Sequence, residues 1–206
     1  YTINGNQPNK HSTVFKKEFS IKKTTIIKAS ILKSDGTFGP ISEKTFYFHK
    51  AIGKTVVYNS KFASKYSGSG KKNLIDGLVG SENHNDGYWQ GWEKNNMEII
   101  IDLHENKKIN TIVCGFLESH QSWIFLPKSV KVSFSSDGKN FTNRKKLLLQ
   151  DGENYVKSNR KEVRFDQLNQ SARFILITAL NRKVCPNWHA GSGGDAWLFS
   201  DEVVVE

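Results

Sequence analysis

Alternating apolar and polar residues mark several segments of this chain as β-strands. In residues 97–103 every second side chain is apolar, and residues 130–134 repeat the pattern. A period of two is that of a strand with one buried and one solvated face. Asp137 and Gly138 follow the second segment, and this pair is typical of a hairpin turn. The pattern therefore predicts antiparallel strands joined by short turns.

Further strand signals occur on both sides of these segments. They occupy residues 24–32, 44–49, 173–180 and 202–206. No segment shows the 3.6-residue period of an amphipathic helix. Many short strands with turn signals between them predict an all-β fold, either a β-sandwich or a jelly roll.

The chain is expected to form two domains, in residues 1–50 and 54–206. The first holds about four strands, which is few for a fold that is stable alone. We therefore expect this domain to pack on its neighbour or to lack some of its strands. Residues 51–53 are too few to act as a flexible linker.

The chain is basic, with 30 Lys and Arg against 20 Asp and Glu and a formal net charge of +10. Such a charge favours an anionic partner, such as nucleic acid, an acidic glycan or an anionic surface. The basic residues form scattered pairs, so a lysine-rich solubilising surface is the simpler interpretation, and we expect no nucleic-acid partner. No apolar run approaches the ~20 residues of a membrane span, which predicts no membrane insertion.

The two cysteines, Cys114 and Cys185, are too few for a disulfide-dense scaffold. Cys114 alternates with Ile112 and Phe116, which predicts a buried thiol. Cys185 falls in a predicted loop, and a disulfide bond between the two cysteines stays open. Neither has the histidine and acid pattern of a catalytic nucleophile.

Five stretches resemble known families. Residues 1–9 (YTINGNQPN) resemble the signature of the immunoglobulin-like domain that follows the catalytic barrel of bacterial β-hexosaminidases and chitobiases, with Asn4 in place of the usual aspartate. Four further motifs resemble, in the right order, the discoidin domain (coagulation factor type C) of the same enzymes, which is also carbohydrate-binding module family 32. They are residues 76–81 (DGLVGS), 87–92 (GYWQGW), 122–127 (SWIFLP) and 197–202 (WLFSDE).

These resemblances imply a galactose-binding-like jelly-roll β-sandwich preceded by a small, incomplete immunoglobulin-like β domain. They also imply a non-catalytic carbohydrate-binding module that targets a secreted glycosidase to glycans in the periplasm or at the surface of a bacterium. Its partners would be a terminal galactose- or hexosamine-type sugar and the catalytic domain of the same parent chain. The alternatives are a structural accessory module that binds no ligand, and a module that binds acidic glycans through its basic surface.

The sequence predicts no catalytic site. Glycoside hydrolysis usually needs two carboxylates that flank the scissile bond. Asp201 and Glu202 are adjacent in a predicted strand, so their side chains point to opposite faces and cannot serve one site. Residues 193–195 resemble part of the parent enzymes' carboxylate motif, but Ala196 stands where its glutamate belongs.

The resemblance also implies a structural calcium ion between the loop after the first strand of the second domain and its last strand. Asp76 and Glu202 match the carboxylate positions, and carbonyl groups near Asn73 and Ser81 would complete the oxygen shell that calcium prefers. The alternative is that Asp76 only forms a turn before Gly77 and that Glu202 is a solvated strand residue. The histidines show no zinc-ligand spacing.

A sugar site needs an aromatic platform for the apolar face of the ring and polar groups for its hydroxyls. Trp123 and Trp188 lie in predicted loops and are the candidate platform, although each alternatively packs onto the sandwich. Trp92 is ambiguous between site and core, whereas Trp89 and Trp197 are predicted core residues. The candidate polar contacts are His84, Glu118, His120, Asn187 and His189.

Overall fold

The computed structural model describes residues 1–150 and 157–206. It divides the chain into two compact units, Tyr1–His49 and Lys50–Glu206. No helix among the described residues is long and apolar enough to cross a membrane.

The first unit is built around one antiparallel strand pair, β1 (Thr25–Ala29) and β2 (Ser42–Phe46). Three aromatic rings, those of Tyr1, Phe15 and Phe19, pack on one another and line an apolar groove beside this pair. β1 falls within the predicted segment 24–32, whereas β2 overlaps the predicted segment 44–49 but begins two residues earlier, and each strand is shorter than predicted.

The second unit has nine strands among its described residues. They are β3 (Thr55–Tyr58), β4 (Gln90–Glu93), β5 (Met97–Ile109), β6 (Ile112–Glu118), β7 (Ser129–Ser135), β8 (Thr142–Leu148), β9 (Asn159–Phe165), β10 (Gln170–Leu180) and β11 (Trp197–Val205). One sheet has the order β3-β5-β10-β7-β8 and the other β4-β11-β6-β9, and all pairings are antiparallel. Three short 3₁₀ helices lie at Ser64–Tyr66, Gly70–Ile75 and His120–Ser122. The all-β prediction is therefore confirmed.

The two sheets pack face to face over one apolar core. The alternating residues of β5 and β10 supply one side, and β6 and β11 supply the other. Cys114 is buried in this core as predicted. Cys185 is buried as well, and both are free thiols, so no disulfide bond joins them. Trp89 is buried, as predicted, in a smaller cluster with Phe199.

Two consecutive carboxylates of β11, Asp201 and Glu202, are buried where the register between β11 and β6 shifts. The Asp201 carboxylate accepts hydrogen bonds from Arg160 Nε at 2.5 Å and from the Gly80 N–H at 2.9 Å. A β-carbon at Gly115 on β6 would overlap this carboxylate, so glycine makes room for it. Burial raises the pKa of Asp201, and Arg160 opposes that shift. The Glu202 carboxylate has other partners, the N–H groups of Gly77 and Leu78, which lie in the same loop as Gly80.

We predict that Arg160→Ala destabilises the second unit by about 3–5 kcal/mol, because Asp201 would lose its counter-charge inside the protein. The matched variant Arg164→Ala should cost less than about 1 kcal/mol, because Arg164 and Asp166 form their ion pair with side chains that are 51% and 49% exposed. Denaturant unfolding of both variants measures the difference.

The loss of unfolding free energy caused by Arg160→Ala should be smaller at acidic pH than at neutral pH. The folded-state pKa of Asp201 lies above its unfolded value, so the folded chain takes up the proton first and gains stability as the pH falls. Equal destabilisation by the two arginine variants at neutral pH would contradict this account of the buried pair.

Candidate functional site

Two loops leave the sandwich at the same end, residues 119–128 after β6 and residues 181–196 after β10. The pairing of Leu180 with Ser129 places the start of the second loop beside the end of the first, and the pairing of Phe199 with Leu117 places the end of the second beside the start of the first. Main-chain hydrogen bonds also tie the first loop to Trp197, the residue that follows the second loop. The Trp197 N–H donates to the Trp123 carbonyl at 2.9 Å, and the Phe125 N–H donates to the Trp197 carbonyl at 3.0 Å.

These loops bring Trp123 and Trp188 to one surface. Their side chains remain 41% and 39% exposed. The ring of His189 lies between them, with its centre 6.0 Å from that of Trp123 and 5.8 Å from that of Trp188. We call these three residues the tryptophan platform.

Both ring nitrogens of His189 are occupied. Its Nε2 is 2.7 Å from the His120 carbonyl oxygen, and its Nδ1 accepts the Gly191 N–H at 3.0 Å. These partners assign the proton to Nε2. The buried His189 therefore holds the two loops together. It does not supply the polar sugar contact that the sequence predicts, because it has no ring nitrogen left to offer.

His120 and Phe125 form the floor of the platform. Their rings stack with centres 5.1 Å apart, and the Trp188 indole packs on His120 at 4.9 Å. Glu118 places a carboxylate oxygen 3.2 Å from His120 Nε2. Burial lowers the pKa of His120, and Glu118 opposes that shift. Both residues are buried, so they support the platform from below, contrary to the prediction that they contact a ligand.

Glycines let the Trp123 indole lie close to the second loop. Trp123 has a left-handed backbone, with φ of 62°, and its N–H closes a turn on the His120 carbonyl at 3.0 Å. A β-carbon at Gly191 or Gly194 would overlap the indole ring. The sequence analysis missed these two glycines, although a segment with three glycines in four residues was the available signal.

Arg182 is a further residue that the sequence analysis missed. It is buried, burial lowers its pKa, and the charge of Glu118 opposes that shift. The Arg182 guanidinium and the Glu118 carboxylate are therefore close enough to interact electrostatically below the platform. Nothing in the local sequence distinguishes Arg182 from the other basic loop residues.

The remaining predicted ligand contacts fall in three different places. Asn187 is exposed beside Trp188 at the rim of the platform. His84 lies elsewhere, with its ring 6.0 Å from Tyr66 and 6.2 Å from Phe199. Trp92, which the sequence left open between ligand contact and core, is fully buried in the main core and offers no surface to a ligand.

Asp76 and Glu202 meet at one end of the Gly70–Ile75 helix. An oxygen of each carboxylate accepts a hydrogen bond from the Leu78 N–H, at 2.9 Å from Asp76 and 3.1 Å from Glu202. Glu202 also accepts the Gly77 N–H at 2.6 Å. Burial, followed by the charge of Asp76, raises the pKa of Glu202 to about 9. Two converging carboxylates that repel each other fit a hard cation, so the donor set is compatible with calcium.

The other two predicted metal residues have structural partners. The Asn73 side chain accepts the Ser69 N–H at 2.8 Å and donates to the Asp201 carbonyl at 3.1 Å. The Ser81 carbonyl accepts the Trp89 indole N–H at 3.1 Å. Within the described residues no group of three or more His, Cys, Asp or Glu side chains is arranged to hold a metal. A cation here would therefore depend on main-chain carbonyls beside the two carboxylates.

Comparison with known proteins identifies two families along the chain. The F5/8 type C domain model matches residues 56–198, and the Fn3 associated model matches residues 1–46. The match over most of the chain confirms the predicted discoidin domain. The immunoglobulin-like assignment of the first unit stays a prediction. The comparison with curated proteins finds no match.

Several solved structures are similar to this chain at low sequence identity. A fucose binding module of Streptococcus pneumoniae is 18% identical, with a TM-score of 0.51, over 77% of this chain and 94% of that chain. Chitosan-binding module 1 of the Paenibacillus sp. IK-5 chitosanase/glucanase is 13% identical, with a TM-score of 0.47, over 78% and 99%. CBM32-3 of a Clostridium perfringens family 31 glycoside hydrolase is 20% identical, with a TM-score of 0.47, over 74% and 88%. The first of these matches confirms the jelly-roll fold.

We predict that Gly191→Ala displaces the Trp123 indole and leaves the fold intact, with a stability change within about 1 kcal/mol. The added methyl group overlaps a half-exposed ring that is free to move outward. The indole N–H signal of Trp123 in an NMR spectrum, assigned with Trp123→Phe, measures the displacement. Ser192→Ala is the matched control, and it should leave that signal in place. An unchanged Trp123 signal in Gly191→Ala would contradict the packing described here.

Proposed function

Because the chain belongs to the F5/8 type C domain family, we propose that its second unit binds a terminal sugar of a glycan on the tryptophan platform. As a domain of this family it is a binding module and not an enzyme. One observation carries the proposal. Trp123 and Trp188 come from separate loops, are fixed by buried neighbours, and still expose 41% and 39% of their side chains.

The physical basis of binding is a rigid apolar surface. A pyranose ring presents a face of C–H groups that packs on an indole, and ordered aromatic rings lose little conformational freedom on binding. His189 fixes the spacing of the two indoles, and His120 supports Trp188 from below. Asn187 is exposed and precedes Trp188 in the chain, and its amide is the proposed partner for sugar hydroxyl groups.

The related structures support a sugar as the ligand class. The Streptococcus pneumoniae module that shares this fold is a fucose binding module. A terminal sugar buries little area, so its affinity should be weak, with a Kd of about 0.1–1 mM.

The proposal extends to the biological role of the module. The motifs in residues 1–9 and 76–81 resemble accessory domains of bacterial hexosaminidases. On this basis the module targets a secreted glycosidase to glycans in the periplasm or at the cell surface. The catalytic domain of the same parent chain is its partner.

A structural calcium ion also belongs to this proposal. Asp76 and Glu202 would hold it, together with main-chain carbonyls near Asn73 and Ser81. The ion would neutralise two carboxylates that the fold brings together, and so fix the loop between the Gly70–Ile75 helix and β4. The convergence of both carboxylates on the Leu78 N–H supports this assignment.

We predict that calcium raises the free energy of unfolding of the metal-free chain by roughly 1–4 kcal/mol at saturation, because it binds the folded site only. Asp76→Asn should remove most of this gain, since it keeps an oxygen acceptor for the Leu78 N–H and loses the charge. Asp86→Asn is the control in the same loop and should keep the gain. Thermal unfolding with calcium and with chelator measures the effect. If adding calcium to a verified metal-free preparation leaves the melting temperature unchanged, the calcium assignment is wrong.

We predict that Trp123→Ala and Trp188→Ala each weaken sugar binding about tenfold, or about 1.4 kcal/mol, with melting temperatures within a few degrees of the parent chain. The matched control is Phe38→Ala, which removes an aromatic side chain of 38% exposure from the first unit. Calorimetric titration with sugars selected from a glycan array measures the affinities.

Three results separate this proposal from its alternatives. Loss of affinity in the tryptophan variants alone supports the platform. Loss in Phe38→Ala to the same extent would contradict it. Failure to bind any neutral glycan would favour a structural accessory module that binds no sugar.

A further inference from the structure

We infer that the open edge of the sandwich between β8 and β9 is a second binding site, for an anionic polysaccharide. β8 is the last strand of one sheet and β9 the last strand of the other. A groove of about 220 Å³ lies between them, lined among others by Lys145, Lys146, Leu147, Arg164 and Phe165. It shares no residue with the tryptophan platform, so this inference is independent of the proposed function.

The strand register places lysines where an interior strand would carry apolar residues. Lys145 pairs with Val132, and Lys161 pairs with Phe116. Both partners belong to the main core. The two lysines therefore occupy the inward-facing side of their strands, yet both are exposed, because no further strand covers this edge in the described part of the chain.

The groove carries an excess of positive charge. No ion pair within the described residues involves Lys145, Lys146 or Lys161. Arg164 is paired with Asp166, which also lines the groove and removes one charge. Lys145, Lys146 and Arg164 line the groove together with a single carboxylate, that of Asp166. The lining therefore keeps a net positive charge, which attracts an anion.

The floor of the groove is apolar. Phe165 and Leu168 are buried beneath it, and Leu147 remains partly exposed. Cations beside an exposed aliphatic surface match a charged sugar, because its ring packs on the aliphatic group and its acidic group meets the lysines. Lys145 and Lys146 of β8 and Arg164 of β9 line the same groove, so a linear polyanion lying across the two strands meets several charges at once.

Two other classes of partner fit less well. Single-stranded nucleic acid needs exposed aromatic rings on which bases stack, and the groove exposes none, since Phe165 is buried. An acidic peptide would have to pair with an edge strand, and lysines on edge strands oppose that pairing. Protection against edge-to-edge association also explains lysines at this position without a ligand, and the experiment separates that role from binding.

The experiment titrates the whole chain with two polyanions that carry different acidic groups, polygalacturonate for carboxylate and dextran sulfate for sulfate. Neutral dextran is the reference ligand. Lys145→Ala/Lys146→Ala should weaken binding of at least one polyanion by tenfold or more, and Lys145→Arg/Lys146→Arg should retain it. Lys16→Ala/Lys17→Ala removes the same charge from an exposed lysine pair of the first unit and should change affinity less than twofold. Binding should fall steeply between about 0.05 and 0.5 M salt.

Further arms of the same titration identify the ligand and the site. The ratio of affinities for the two polyanions shows whether the groove favours carboxylate or sulfate. Trp123→Ala should leave polyanion binding unchanged, which separates this groove from the platform.

Four results would overturn the inference. The first is that neither polyanion binds, and the second is that Lys16→Ala/Lys17→Ala loses as much affinity as Lys145→Ala/Lys146→Ala. The third is that single-stranded DNA or polyglutamate binds more tightly than both glycans. The fourth is that Lys145→Ala/Lys146→Ala self-associates while its affinity for the polyanions is unchanged. The last result would assign these lysines to protection of the sheet edge alone.

Discussion

The burial of two consecutive carboxylates in β11 constrains much of the second unit. A charge removed from water is costly unless it is paired and hydrogen-bonded. Asp201 meets this requirement through Arg160 of β9 and the Gly80 N–H. Glu202 meets it through the N–H groups that begin the loop after the Gly70–Ile75 helix. The same few bonds therefore join β9 and the loop after the Gly70–Ile75 helix to the last strand.

The end of the sandwich that carries the tryptophan platform is held by the same kind of buried polar contact. His189 bonds through one ring nitrogen to the loop of Trp123 and through the other to its own loop. His120 carries Trp188 on one side and is held by Glu118. The indoles are thus positioned by polar groups below them and remain open to solvent above. These contacts explain how two separate loops present one ordered apolar surface.

The sequence was informative where a pattern is local. Period-two alternation predicted the buried face of β5, and the Asp137-Gly138 pair correctly predicted the turn between β7 and β8. β5 continues to Ile109, beyond the predicted segment, because its polar end is paired with β10 rather than buried. The residues next to Trp92 in the sequence do not show whether its side chain lies at the surface or in the core, because the burial of a four-residue strand depends on the elements that pack over it.

The site residues were harder to assign for the same reason. Glu118 ends β6, and His120 and His189 lie in the loops, and the sequence neighbours of these polar residues do not reveal which of them is turned inward. The groove at the open edge was invisible in the sequence, because Lys145 and Arg164 line one groove only after the two sheets have formed and stacked. Basic residues of two different strands thus give this edge of the fold its positive charge.

The central claim is that the tryptophan platform binds a sugar. An NMR titration of the ¹⁵N-labelled chain with a glycan that it binds tests this claim most directly. The account predicts that the largest shifts fall on the indole N–H groups of Trp123 and Trp188 and on amides of residues 119–125 and 185–191. The signals of the buried Trp89 and Trp92 indoles should stay in place. Shifts concentrated around His84 and Tyr66, with the platform signals unmoved, would contradict the account.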